Sequence, residues 1–314
     1  MGDADDRGGG DAAGRRQPLR RGRRGGGGGR GAGQLTGANA GTGGKGPASR
    51  AGSARRVSGE EPGEAPPVLP EGHALLALGE VDSTLDEAAR RLAEISGPTW
   101  ITATRQTAGR GRRGRPWVSP PGNFAATLVL PGLTPGQGAA LRSFVAALAL
   151  FEACTVLGTP PDRLALKWPN DVLLDGGKLA GILLEGLAAG GRIEGLAIGI
   201  GVNLAAAPPP EALEPGALAP VALADCLGTA PAPAAFLEAL APAFARWEGQ
   251  FRAGGFGPIR AAWLARAARL GEAVTARLPG EEVRGIFRDV DGEGHLVLST
   301  PRGARRIAAG EIFF

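Results

Sequence analysis

The sequence predicts an α/β core followed by a small all-β module, and three observations carry that prediction. Four stretches repeat apolar residues at helical spacing and alternate with short β-rich runs. The last ~45 residues change to short strands separated by turn dipeptides, and the first 66 residues show neither pattern.

The chain has 314 residues, which fits one large domain or two unequal ones. Its formal net charge of +4 is unevenly placed: residues 1–70 hold 12 Lys/Arg and 7 Asp/Glu, whereas the rest hold 23 and 24. The basicity therefore belongs to the tail, and the remainder offers no broad cationic face for nucleic acid. The tail also carries 21 of the 54 glycines and no aromatic residue. A run such as RRGRRGGGGGRGAGQ buries too little apolar surface to offset the entropy of ordering it, so residues 1–66 read as disordered. An RGG-like RNA-binding tail and a plain solvated extension are both compatible with that composition. Asp3, Asp5, Asp6 and the glycine runs argue against a transit peptide, and the N-terminus lacks the apolar segment of a secretory signal. No apolar run of membrane-spanning length is expected. Cys154 and Cys226 stand in apolar text without a partner motif and read as reduced thiols, which suits the cytoplasm.

Order is expected from about residue 67. HALLALGEV (73–81) is a strand candidate, and DSTLDEAARRLAEISG (82–97) reads as a helix capped by Ser83 or Thr84 and ended by Gly97. TWITATRQ and NFAATLVL are strands flanking a long Gly/Arg loop. Residues 137–157 place Leu141, Phe144, Val145, Leu148 and Phe151 on one helical stripe. LALKW, VLL, LAGILLEGL and IEGLAIGIGVNL are strand-like, and a Pro-rich loop (205–222) leads into a helix with Phe236, Leu240, Phe244 and Trp247 on one face. IRAAWLARAARL (259–270) reads as a further helix. EAVTARL, EVRGIFRDVD, GHLVLST and ARRIAAGEIFF, with Pro279-Gly280 and Asp291-Gly292 as turns, suggest a small β-barrel. The boundaries are therefore a tail at 1–66, an α/β domain at 67–268 and a β module at 269–314.

The candidate chemistry is defined first by what is scarce. There are two histidines, His73 and His295, no tyrosine, and neither histidine has a nucleophile with an orienting acid in sequence context. Zinc ligands are too few, and no Walker A loop occurs, since Leu179 follows Lys178 where a hydroxyl would be needed. Electrostatic handling of anions remains. Four segments could supply it: Gly109–Arg115 (GRGRRGR), Lys167–Asp171 (KWPND), Gly177–Gly181 (GKLAG), and IGIGVNL ending near Asn203. Glycines let backbone approach an anion, and guanidinium groups bind oxyanions in bidentate fashion. Each also has a plainer reading: a solvated loop, a structural turn, an exposed lysine, or glycines marking a strand bulge.

Taken together, DST, QTAGRGRRGRPW, KWPNDVLL, GKLAGILLE and IGIGVNL resemble the biotin protein ligase family, from about Val81 to the C-terminus. The resemblance implies a catalytic domain related to class II aminoacyl-tRNA synthetases, with a mixed sheet flanked by helices, and an SH3-like C-terminal barrel. It implies that ATP, with Mg2+, activates biotin to biotinyl-5′-AMP, and that a lysine of a carboxylase's biotin carboxyl carrier domain then accepts the biotinyl group. By the same resemblance Ser83, Thr84, Leu85, Gln106, Arg110, Gly111, Arg112 and Lys178 face biotin, with the Leu85 contact through backbone. Arg112, Arg115, Trp117, Asn170, Lys178 and Asn203 face ATP or the adenylate, and Asp171 faces metal. Lys178 and Arg112 are the implied catalytic pair. Some relatives carry an N-terminal winged helix that binds DNA; residues 1–70 have no helical periodicity for one, so specific DNA binding is not expected. A monomer or weak homodimer is expected, away from membranes. Lipoate–protein ligase is the nearest rival, and a nucleic-acid binder acting through the tail is a distant one.

Overall fold

A computed structural model describes residues 66–209 and 218–314. The segment read as a disordered tail lies outside the described residues apart from Pro66, as does part of the Pro-rich loop. Strands β1 (Ala74–Val81), β2 (Thr99–Gln106), β3 (Phe124–Pro131), β4 (Leu164–Lys167), β5 (Asp171–Leu174), β6 (Gly177–Ala189) and β7 (Arg192–Val202) form one sheet. Their order is β1-β2-β3-β7-β6-β5-β4. Strands β1 and β2 run parallel, joined by helix α1 (Thr84–Arg91), and the other pairs are antiparallel, so the sheet is mixed.

Strand alternation assigns each residue to a face. On β3 and β7, Phe124, Ala126, Leu128, Leu196, Ile198 and Ile200 point to the main core. Helix α2 (Arg142–Val156) packs on that face with helix α4 (Pro233–Gly254) and helix α5 (Phe256–Leu264). The opposite face carries a smaller core, in which Leu85, Ala88 and Leu92 of the α1 segment meet Ile101, Val129, Leu187 and Ala197. A short helix, α3 (Ala224–Leu227), precedes α4.

Residues 139–156 are in fact apolar and long enough to match a membrane span, contrary to the expectation from sequence. Their burial explains the composition: α2 lies between the sheet and α4, with Val145, Ala146, Leu148, Ala149 and Leu150 at most 1 % exposed. A helix surrounded on all sides is apolar all round. Truncating Leu148 to Ala there would cost about 2–5 kcal/mol.

Two helices stop earlier than their periodicity suggests. The α1 helix gives way to a 3-10 turn at Leu92–Glu94, before Gly97. Helix α5 ends at Leu264 because residues 266–268 leave it to line the edge of β4: Leu166 N donates to Arg266 O and Ala268 N to Leu166 O, both at 2.8 Å. Backbone pairing along an open sheet edge outweighs six further residues of helical propensity.

The C-terminal module is a five-stranded antiparallel sheet of β8 (Ala273–Leu278), β9 (Glu281–Val290), β10 (Leu296–Thr300), β11 (Gly303–Ile307) and β12 (Glu311–Phe313), ordered β11-β10-β9-β8-β12. It is fastened to the α/β domain: Trp168 Nε1 donates to Gly294 O at 2.9 Å, and Arg260 hydrogen-bonds Val290 O and Asp289. Phe314, just past β12, thereby comes to the end of β4, its ring centre 5.7 Å from the Lys167 ammonium.

Candidate active site

A cavity of about 310 Å3 opens on the α1 face of the sheet. The strand text IGIG explains why there is room. Gly199 and Gly201 of β7 both point to this face, and Gly181 of β6 joins them. A Cβ on Gly199 would stand 3.0 Å from Leu85, and one on Gly201 only 2.5 Å from Trp117 Nε1. The missing side chains thus seat Leu85 from α1 and Trp117 from the Gly/Arg loop against the sheet.

One end of the cavity is a polar pocket at the start of α1. Ser83 is the N-cap and accepts from Leu85 N at 3.2 Å, which fixes its hydroxyl at the helix entrance. Thr84 is almost wholly buried. Its N–H and Oγ1 donate to Gln106 Oε1 (2.8 and 3.1 Å), and its Oγ1 accepts from Thr127 Oγ1 at 2.9 Å. Gln106 at the end of β2 is thereby held in a fixed rotamer. This network, set on rigid elements, suits recognition of a small polar head with both donors and acceptors.

The other end is cationic. The turn between β4 and β5 carries Asn170, Asp171 opens β5, and Lys178 is the second residue of β6. Lys178 Nζ lies 2.9 Å from Asp171 Oδ1 and 5.6 Å from the centre of the Trp117 ring. Lys167 is 7 % exposed, 3.8 Å from Asp171 Oδ2, and burial pushes its ammonium below the ordinary value. Asn170 Nδ2 donates to Ile182 O at 2.6 Å, so its Oδ1 faces Arg112 Nη1 at 3.5 Å. Asn203 closes the floor, its Nδ2 reaching Val221 O at 3.2 Å. The Asn203 Oδ1, Trp117 Nε1 and Asp171 Oδ1 atoms are buried without a hydrogen-bond partner, although Lys178 is within ion-pair distance of the last. Three such atoms beside an indole face and several cations fit a purine nucleotide.

The Gly/Arg loop forms the outer wall as a small hairpin: Gly111 N donates to Arg115 O (2.7 Å) and Trp117 N to Gly109 O (2.9 Å). Arg113 and Gly114 at its tip have φ of 58° and 71°, the left-handed region that Gly114 adopts without strain. The arginines are not equivalent. Arg110 binds Asp86 of α1 at 2.6 Å and Glu185 of β6 at 2.9 and 3.1 Å. Arg112 turns inward, its Nη1 also donating to Gly310 O at 3.2 Å. Arg115 binds Glu311 through both nitrogens at 2.7 and 2.8 Å. Arg105 pairs at the surface with Glu80.

All thirteen residues expected at the site line this one cavity, including Leu85, whose side chain is buried against Gly199. Sequence reasoning missed Thr127, Asp86, Glu185 and Glu311, which hold those residues in place. It also left Lys167 without a role, although its place in KWPND beside Asp171 was a usable signal. His73 is not part of the chemistry: its Nδ1 accepts from Trp100 Nε1 at 3.2 Å, and burial holds its pKa low.

Magnesium was tested against the same side chains. Asp171 lies between two ammonium groups, yet its Oδ1 is buried without a hydrogen-bond partner, so this carboxylate has a lone pair to offer a cation brought in with a nucleotide. Among the described residues, the one cluster of three potential ligands is Asp291, Glu293 and His295, on the β9–β10 turn outside the cavity.

A mixed α/β domain whose one cavity joins a polar pocket to a cationic end, with a Gly/Arg hairpin beside it, is of the class that binds a small molecule with an anionic group. The chain belongs to the biotin/lipoate A/B protein ligase family, whose sequence model matches residues 78–203, and residues 270–314 match the biotin protein ligase C-terminal domain. It is 54 % identical over 237 residues to a biotin–[acetyl-CoA-carboxylase] ligase of Paracoccus denitrificans, covering 76 % of this chain and 99 % of that protein. A bifunctional ligase/repressor of Bacillus subtilis is 31 % identical over 76 % of this chain and 73 % of its own length. Among solved structures, the biotin protein ligase of Aquifex aeolicus in complex with biotin and ATP superposes with a TM-score of 0.66 at 27 % identity, covering 76 % of this chain and 97 % of that one.

Proposed function

We propose that this chain is an ATP-dependent biotin protein ligase, which makes biotinyl-5′-AMP and transfers the biotinyl group to a lysine of a carboxylase's biotin carboxyl carrier domain. One observation carries the reading: a single cavity joins the Ser83–Thr84–Gln106 network to the Lys178–Arg112 cations under Trp117. The ureido ring of biotin is both donor and acceptor and matches the first end; its carboxylate points to the second. There a carboxylate oxygen attacks the α-phosphorus and pyrophosphate leaves. Two anions approach each other in this step, and Lys178 and Arg112 offset their repulsion and the charge that builds on the phosphorus oxygens. Trp117 covers the adenine, and Asn170 and Asn203 orient the nucleotide. In the second step the acceptor's neutral ε-amine attacks the acyl carbon, AMP departs with the bonding pair, and the amine loses a proton. The hairpin keeps water from the mixed anhydride in the meantime.

Asp171 would be the residue to hold a Mg2+ ion, which would supply positive charge against the phosphates, and without it Asp171 is counter-ion to Lys167 and Lys178. A cytoplasmic setting suits the two free cysteines.

The decisive test is incubation with MgATP and either biotin or lipoate, with and without a carrier domain, followed by pyrophosphate release and mass spectrometry of the carrier. Biotin-dependent pyrophosphate release and a biotinylated lysine are expected. Turnover with lipoate alone would assign the chain to the lipoate branch of the family; the C-terminal match at residues 270–314 favours biotin.

A further inference from the structure

We infer that Glu311, on the last strand of the C-terminal module, is a positioning residue that latches the Gly/Arg hairpin shut and sets how long the adenylate stays bound. The inference rests on the ligase reading above and adds a residue and a rate to it.

The hairpin is held at two places of different kinds. Its first arm is tied by Arg110 to Asp86 of α1 and Glu185 of β6, both in the α/β domain. Its second arm is tied to the C-terminal module: Arg115 makes a two-nitrogen bond to Glu311, Arg113 stands 3.8 Å from the same carboxylate, and Arg112 donates to Gly310 O. The hairpin and residues 310–314 both line the cavity, so the Arg115–Glu311 pair joins two separate parts of its wall. A ligand as large as an adenylate leaves when those walls part, and parting them breaks this pair.

Glu311 does not touch the reacting atoms. Its side chain is 24 % exposed and its backbone is fixed by pairing with Arg277 of β8, so the carboxylate is presented from a rigid strand. A planar two-nitrogen contact to a strand-mounted carboxylate is the geometry in which a partly exposed ion pair contributes more than the usual fraction of a kcal/mol. Because the pair exists in the closed arrangement, its contribution appears in the release rate.

The test uses the full chain and Glu311→Gln, with biotin and MgATP and no acceptor. In the parent, pyrophosphate release should slow after one equivalent, with the adenylate retained. In E311Q, continued release and free biotinyl-5′-AMP in the filtrate are expected to rise roughly three- to tenfold. Single-turnover transfer to a carrier domain from adenylate already bound should match the parent, as should the thermal midpoint. A purely structural role would lower the midpoint and leave acceptor-free release alone. Acceptor-free release equal to the parent overturns the latch. If E311Q does not fold, Glu311→Asp keeps the charge on a shorter stem and should show an intermediate rise; a parental rate there overturns the inference equally. A parent that releases no pyrophosphate with biotin refutes the ligase reading instead, so the two failures are distinct.

Discussion

Lys178 Nζ lies 2.9 Å from Asp171 Oδ1, and the buried Lys167 stands 3.8 Å from the same residue's other carboxylate oxygen. One carboxylate therefore balances two ammonium groups, and an arriving phosphate competes with it for Lys178. Lys178→Ala should reduce biotin-dependent pyrophosphate release by roughly a hundred- to a thousandfold with the melting temperature nearly unchanged. Asp171→Asn should behave differently. It leaves Lys167 without its nearest counter-charge, so the fold should lose about 1–3 kcal/mol in urea titration.

Gly201→Ala tests the seat beneath the indole. The added methyl would stand 2.5 Å from Trp117 Nε1, and backbone on a central strand cannot retreat. Trp117 must then leave the sheet. The expected outcome is a raised KM for ATP, a shift in tryptophan emission, and a stability loss of about 1–3 kcal/mol.

Arg110 tethers the first arm of the hairpin through Asp86 and Glu185. Arg110→Ala should weaken biotin binding roughly tenfold and speed tryptic cleavage within residues 112–115, since an untethered hairpin is a better protease substrate. Limited digestion with and without biotin, followed by mass spectrometry, reads both effects.

The Arg115 guanidinium beside Glu311 holds its carboxyl below the usual glutamate value. A carboxyl whose value is depressed while it is paired stabilises the paired, closed arrangement above its unpaired value near 4.3, and that contribution is lost as pH falls through the depressed value. Adenylate retention should accordingly be flat from about pH 5 upward and decline only in stronger acid. A filtration assay of bound adenylate between pH 4 and 8 checks the profile, and a loss centred near pH 6 would point to another group.

Burial pushes the Cys154 thiol up to about 12, whereas Cys226 is half-buried beside Arg163. At pH 8 a maleimide should label Cys226 first and reach Cys154 only on unfolding. Equal labelling of both in the native protein would contradict the packing of α2.

The parts of this fold that were legible in sequence are those with a local signature. The stripe Leu141–Phe151 located a helix, IGIG marked a strand stripped of side chains on one face, and Ser83 announced the start of α1. The site residues came together because they sit in compact motifs. Their supports were not legible, for a physical reason. Arg110 reaches Glu185 across 75 positions and Arg115 reaches Glu311 across 196, and ion pairs formed by tertiary folding leave no periodicity or spacing to read. The early end of α5 has the same origin: the free edge of β4, made a hundred residues before, recruits its last turns.

Because Gly310 through Phe314 line the cavity, this stretch of the C-terminal module is part of its workshop. An affinity tag fused after Phe314 would start at the rim of the substrate cavity, three residues from the carboxylate that grips Arg115. Preparations tagged there should differ from those tagged at the other end in activity, ligand affinity and crystallisation. The placement of a purification handle is, for this enzyme, an active-site decision.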